Sequence, residues 1–113
     1  MKSGNLILDF SFQFSLDIVE FSESLEEKRK YAIANQLIKS GTSIGANARE
    51  SQNAESKRDF VHKLKIAAKE AEETEYWLLI CKHSKNYPEP GKLLNDIGAL
   101  KRIIGKIIAS SQN

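Results

Sequence analysis

Residues 56–84 read SKRDFVHKLKIAAKEAEETEYWLLICKHS, and Phe60, Leu64, Ala67, Ala71, Thr74, Leu78 and Cys81 recur through them at spacings of 4, 3, 4, 3, 4 and 3. That period places all seven side chains on one face of an α-helix. Ser56 with Asp59 three residues later is a capping-box-like start. A helix over about 56–84 would be roughly 40 Å long at 1.5 Å rise per residue. Upstream, Ala34, Leu37, Gly41, Ile44 and Ala48 are spaced 3, 4, 3 and 4, which predicts a second helix over about 30–52. The small residues on this stripe let a neighbouring helix come close. Gly41 and Gly45 each cost about 1 kcal/mol against Ala inside a helix, and tight packing is a reason to keep them.

The flanking segments complete the pattern. Phe10, Phe12, Phe14, Leu16 and Ile18 alternate, a strand signal, but Phe14, Ile18, Phe21 and Leu25 also make a helical stripe. The stripe outlasts the alternation and Asp9 is a candidate N-cap, so residues 8–27 are predicted as helix. Asn86 through Gly91, with Pro88 and Pro90, mark a turn. Leu93, Ile97, Leu100, Ile104 and Ile107 then define a last helix over about 91–110. Four helices on short connections predict an all-α, up-down-up-down four-helix bundle, a single domain over residues 1–113.

Composition narrows the function. The chain has 113 residues, 41% hydrophobic and 28% charged, enough for one core. One Cys excludes an intrachain disulfide and any multi-cysteine zinc site. A bundle of this type that holds two metals needs Glu-x-x-His pairs, and the two His offer one Asp-x-x-His at Asp59 and His62. No metal, no cofactor and no catalysis are therefore expected. His62 has no Ser or Cys partner at a meaningful spacing, which disfavours a small hydrolase. Cys81 sits on the apolar stripe and reads as a buried small hydrophobe. No apolar run approaches the roughly 18 residues of a membrane span. Leu6-Ile7-Leu8 is cut by Asp9, so no secretory leader is expected and the cytoplasm is the predicted location.

The net charge is only +2, but residues 1–27 carry −5 and residues 28–69 carry +7. Lys28, Arg29, Lys30, Arg49, Lys57, Arg58, Lys63 and Lys65 are candidate contacts to RNA or DNA, provided they gather on one face. A polar seam of Gln36, Ser40, Ser43, Asn47 and Glu50 runs beside the small-residue stripe. It is either a hydrogen-bonded core edge that fixes register or a binding groove. A hairpin turning near residue 54 would make facing positions sum to about 108, with Lys39 near Glu70 and Glu50 near Arg58. Ile66, Trp77, Ile80, Ile103 and Ile108 lie off the main stripes. They fill a wide core or form a contact with another subunit.

Ser43-Ile44-Gly45-Ala46-Asn47-Ala48-Arg49-Glu50 resembles the Ser-Ile-x-x-Asn-x-x-Glu signature of small bacterial four-helix bundle proteins, the 23S rRNA intervening-sequence protein family. Asp59-Phe60, Lys63 through Ala67, Lys69-Glu70 and Glu73-Thr74-x-Tyr76-Trp77-Leu78 resemble the same family, and the match covers roughly residues 10–108. Arg49 and Ser51 stand where many members carry a small residue and Gly. The resemblance implies a left-handed four-helix bundle assembled as a homo-oligomer, with a ring of five as the family's form. It also implies kinship with bundles that assist reverse transcriptases in diversity-generating elements and bind nucleic acid through basic surfaces. Ser43, Asn47, Glu50 and Glu73 are the motif positions carried over, and no catalytic activity comes with them. The expected function is a non-enzymatic oligomeric scaffold or accessory protein that contacts nucleic acid. The alternative is a scaffold that binds protein only.

Overall fold

Each periodic stripe becomes a helix in the computed structural model, which describes residues 2–112: α1 (Leu6–Glu27), α2 (Tyr31–Ser51), α3 (Lys57–His83) and α4 (Lys92–Ser111). The expected helix over residues 8–27 starts earlier, because Asn5 rather than Asp9 is its cap. The Asn5 side chain accepts from the Leu8 N–H at 3.4 Å. Asp9 instead accepts from the Ser3 hydroxyl and N–H, each at 2.8 Å, and these bonds hold its carboxyl below the usual range. At the start of α3, Ser56 Oγ accepts from the Asp59 N–H at 3.0 Å, and Asp59 accepts from the Glu55 N–H at 3.3 Å. Both orphan donors are thus satisfied, with Glu55 in the place a strict capping box gives to the cap residue itself.

The core is the set of predicted stripes. Phe14, Ile18 and Leu25 from α1 meet Leu37, Ile44 and Ala48 from α2, all buried. Leu64, Ala67, Ala71, Thr74, Leu78 and Cys81 supply α3's face. Ile97, Leu100 and Ile104 supply that of α4. Phe60 is only half-buried; Val61, one position on, is buried in the first turn of α3. At Gly41 an added Cβ would lie 2.8 Å from Ile18 Cγ2, so the glycine is what lets α1 and α2 close together there.

Packing follows chain order. α1 packs on α2, α2 on α3 and α3 on α4, and α4 returns to α1 along the sparsest of the four seams. Gly41 faces Ile18 while Gly45 faces Ser11 and Ser15, so α2 runs antiparallel to α1. Ser40 pairs with Thr74 and Glu50 with Lys63, so α3 runs antiparallel to α2. Lys101 reaches Glu72 and Glu75 while Ser111 lies beside Lys57, which reverses α4 against α3. The helices lie along a body of 46 × 25 × 20 Å.

The register between α2 and α3 differs from the expected one. Facing residue numbers add to 113–114, not 108. The connector Gln52–Ser56 carries the chain past the end of α2 before α3 begins, so Ser51 lies level with about residue 63. The first six residues of α3, about 9 Å of helix, overhang α2. Glu50 therefore pairs with Lys63, at 3.2 Å, instead of Arg58, and neither Lys39 nor Glu70 has an ion pair among the described residues.

Candidate nucleic-acid interface

The four motif residues lie along the α2–α3 seam. Asn47 Nδ2 donates to the Ser43 carbonyl at 2.9 Å and to Ser43 Oγ at 3.1 Å, so this pair closes on its own helix. Exposed Glu50 accepts from Lys63, and exposed Glu73 accepts from Trp77 Nε1 at 3.2 Å. Beneath them the hydroxyls of Ser40 and Thr74 hydrogen-bond at 3.0 Å, both buried. Ser51 is buried and donates to the Ala48 carbonyl at 2.6 Å. The described bonds of the seam run within it, the pattern of a register-fixing edge. Glu70 on the same edge has its carboxyl pushed up, first by burial and then by Glu73.

The basic candidates do not share one patch. Lys28, Arg29 and Lys30 form the α1–α2 connector, whereas Lys57, Arg58 and Lys65 belong to the first turns of α3. The whole of α2, 21 residues and roughly 30 Å, separates the two groups. Lys30 Nζ sits 4.8 Å from the centre of the Tyr87 ring, and Arg29 takes a left-handed φ of 61° that turns the chain. Lys63 is engaged by Glu50, and Arg49 rims the α1–α2 groove on the other side of α2. What remains together is the start of α3. Lys57, Arg58, His62 and Lys65 line a cleft of about 570 Å³ closed on its far side by Ser111 and Gln112 of α4. Three cations and a histidine therefore share one rim of this cleft. Among the described residues no group of three His, Cys, Asp or Glu gathers to hold a metal, and no helix is long and apolar enough to cross a membrane.

The off-stripe apolar residues are half-buried. Trp77, Ile103 and Ile108 pack against the core, and Ile66 and Ile80 are partly covered. The larger exposed apolar surface lies elsewhere: Phe12, Leu16 and Val19 on α1, and Tyr76 and Leu79 on α3. The alternation over residues 10–18 is the sequence trace of that surface. Phe14 and Ile18 face the core while Phe12 and Leu16 face out, so one helix with two apolar faces mimics a strand pattern.

A sequence profile of the 23S rRNA-intervening sequence protein family matches residues 5–106. The chain belongs to that family. The α2–α3 seam lies within the matched residues. A crystal structure of a protein of unknown function from the S23 ribosomal protein family of Bacteroides thetaiotaomicron VPI-5482 superimposes with a TM-score of 0.85. Its sequence is 37% identical, and the alignment covers 90% of this chain and 97% of that one. No curated protein sequence matches the chain. The family membership rests on the profile match, and the structural likeness supports the four-helix fold.

Proposed function

We propose that this member of the 23S rRNA-intervening sequence protein family is a non-enzymatic, homo-oligomeric scaffold that binds RNA or DNA through the basic start of α3. The observation that carries this reading is the cleft where Lys57, Arg58, His62 and Lys65 converge along the start of α3. A ring of copies, five by resemblance to the family, repeats that cleft around an axis. A modest charge per subunit then becomes a focused field, and several clefts engage one polyanion. The motif seam stiffens the α2–α3 hairpin that carries the cleft.

Binding through phosphates weakens steeply with salt, because each neutralised phosphate releases counterion. Arg58→Ala with Lys65→Ala should lower RNA affinity and reduce the magnitude of the slope of log K against log salt by about one per lost contact. Lys28→Ala with Lys30→Ala, at the other end, should leave both unchanged. No retention of nucleic acid by the intact protein at low salt would refute the proposal. The exposed apolar faces of α1 and α3 would then favour a protein-only scaffold.

A further inference from the structure

Two outward stripes repeat with one spacing on helices that do not touch. On α1, Phe12, Leu16, Val19, Glu23 and Glu26 follow at 4, 3, 4 and 3, all exposed. On α3, Glu72, Tyr76, Leu79 and His83 follow at 4, 3 and 4, all exposed. Each stripe passes from apolar to charged in the same chain direction. α1 turns acidic, with Glu20 and Glu27 beside Glu23 and Glu26. After Leu79 the chain turns basic, with Lys82, His83 and Lys85. α1 and α3 run parallel at opposite corners of the bundle, since each packs antiparallel to α2 and they share no seam.

We propose that the homo-oligomer, the reading above on which this rests, is built by packing the α1 stripe of one copy, in parallel, on the α3 stripe of the next. Aligned by spacing, Leu16 meets Tyr76, Val19 meets Leu79, and Glu23 meets His83 between Lys82 and Lys85. Phe12 meets Glu72, whose carboxylate Lys101 of its own chain holds at 2.7 Å. The charged groups lie at one end of the contact, where they fix its direction and steer association more than they hold it.

A second copy is the occupant because one contact then covers both apolar patches. Of the seven large apolar side chains exposed among the described residues, Phe12, Leu16, Val19, Tyr76 and Leu79 lie on these two stripes. A foreign helix on either stripe would leave the other bare. Parallel docking relates neighbours by rotation about an axis along the bundles. Each copy offers α1 to one neighbour and α3 to the other, the head-to-tail contact that a ring requires. Heights are compatible with closure. Within one bundle Gly41 lies against Ile18 and Ser40 against Thr74, which sets Ile18 level with about residue 73. Docking sets it level with residue 78 of the neighbour, a shift of roughly 7.5 Å that a tilt of each bundle against the ring axis absorbs. α1 begins at Leu6, level with the neighbouring copy's Ile66, so the cleft of Lys57, Arg58, His62 and Lys65 stays clear of the contact. Antiparallel docking would instead lay Glu23 and Glu27 on Lys69 and Lys65 and neutralise part of that rim.

Light scattering and disulfide trapping of the whole protein test the interface. Leu16→Glu with Val19→Glu should reduce the mass severalfold, to that of one 12.7 kDa chain. Helical content should not change, since both side chains face solvent in the bundle. Glu23→Cys with His83→Cys in one chain should give a ladder of covalent multimers on oxidation, and neither single variant should. Glu23→Cys with Lys69→Cys should give no ladder. An oligomer that keeps its mass in the Leu16→Glu, Val19→Glu variant, or that cross-links through Lys69→Cys instead of His83→Cys, would overturn this interface and leave the homo-oligomer standing. A parent protein that is monomeric at micromolar concentration would overturn both.

Discussion

Two glycines inside helices have opposite reasons to exist. At Gly41 a Cβ would meet Ile18 at 2.8 Å and 2.9 Å, and Ile18 is fully buried and β-branched, so it cannot swing aside. Gly41→Ala should therefore lower stability by about 1–2 kcal/mol, overpacking outweighing the gain in helix propensity. At Gly105 a Cβ meets nothing within 4 Å and the residue is exposed, so Gly105→Ala should raise stability by up to about 1 kcal/mol. Urea melts of the pair check both signs. Cys81 is buried, and burial pushes its thiol up to about 11, so at neutral pH it is a protonated, shielded group. A thiol reagent should modify it at the rate of local or global opening, with denaturant accelerating labelling as it accelerates exchange. Glu70 has a folded pKa above its unfolded value, so the folded state holds its proton more tightly. Its contribution to stability is then lost as pH rises through the folded pKa. Glu70→Gln should raise the melting midpoint at pH 7 and flatten the pH dependence on the acid side.

Helix pairing turns on a few cross-helix contacts. The buried Ser40–Thr74 hydroxyl pair is the polar lock between α2 and α3. A double-mutant cycle of Ser40→Ala and Thr74→Val should give a coupling of about 0.5–1.5 kcal/mol, and additivity of the two single effects would show that the hydroxyls do not act together. The helices and their core faces were legible in the sequence, because Ala34 to Ala48 and Leu64 to Cys81 repeat with the bundle period and all are buried. Their relative height was not. It depends on how far Gln52–Ser56 travels along the axis, and no periodicity records that distance. The basic site suffered the same way. Lys28 to Lys30 and Lys57 to Lys65 belong to one positive segment of sequence, yet a helix of fixed rise holds them at opposite ends. The outward face of α1 was hidden by its own strength, since two apolar stripes on one helix read as alternation.

The distribution of charge over the molecule is polar in the literal sense. α1 holds six acids and no base, and the start of α3 gathers Lys57, Arg58 and Lys65 on one cleft. A scaffold so arranged should concentrate polyanion at one end while leaving α1 free of it. In the assembled state, light scattering should give several times the 12.7 kDa chain mass. Footprints on bound RNA should shrink with Arg58→Ala and remain unchanged with Glu23→Lys. A monomer at micromolar concentration would remove the multivalent basis for nucleic-acid affinity.

The order in which the helices touch also sets how the chain acquires its shape. Three of the four seams join neighbours in sequence, so their loops are short and their closure costs little entropy. The exception joins the first helix to the last, where Asp17 and Asp96 meet Lys92, at 3.4 Å and 3.1 Å. A topology this local should fold within milliseconds, and the first-to-last seam should be the late event. Substitutions at Ala71 or Leu37 should then slow folding, while Asp17→Asn should leave the folding rate alone and speed unfolding. Stopped-flow chevrons with the reverse pattern would place the nucleus at the chain ends.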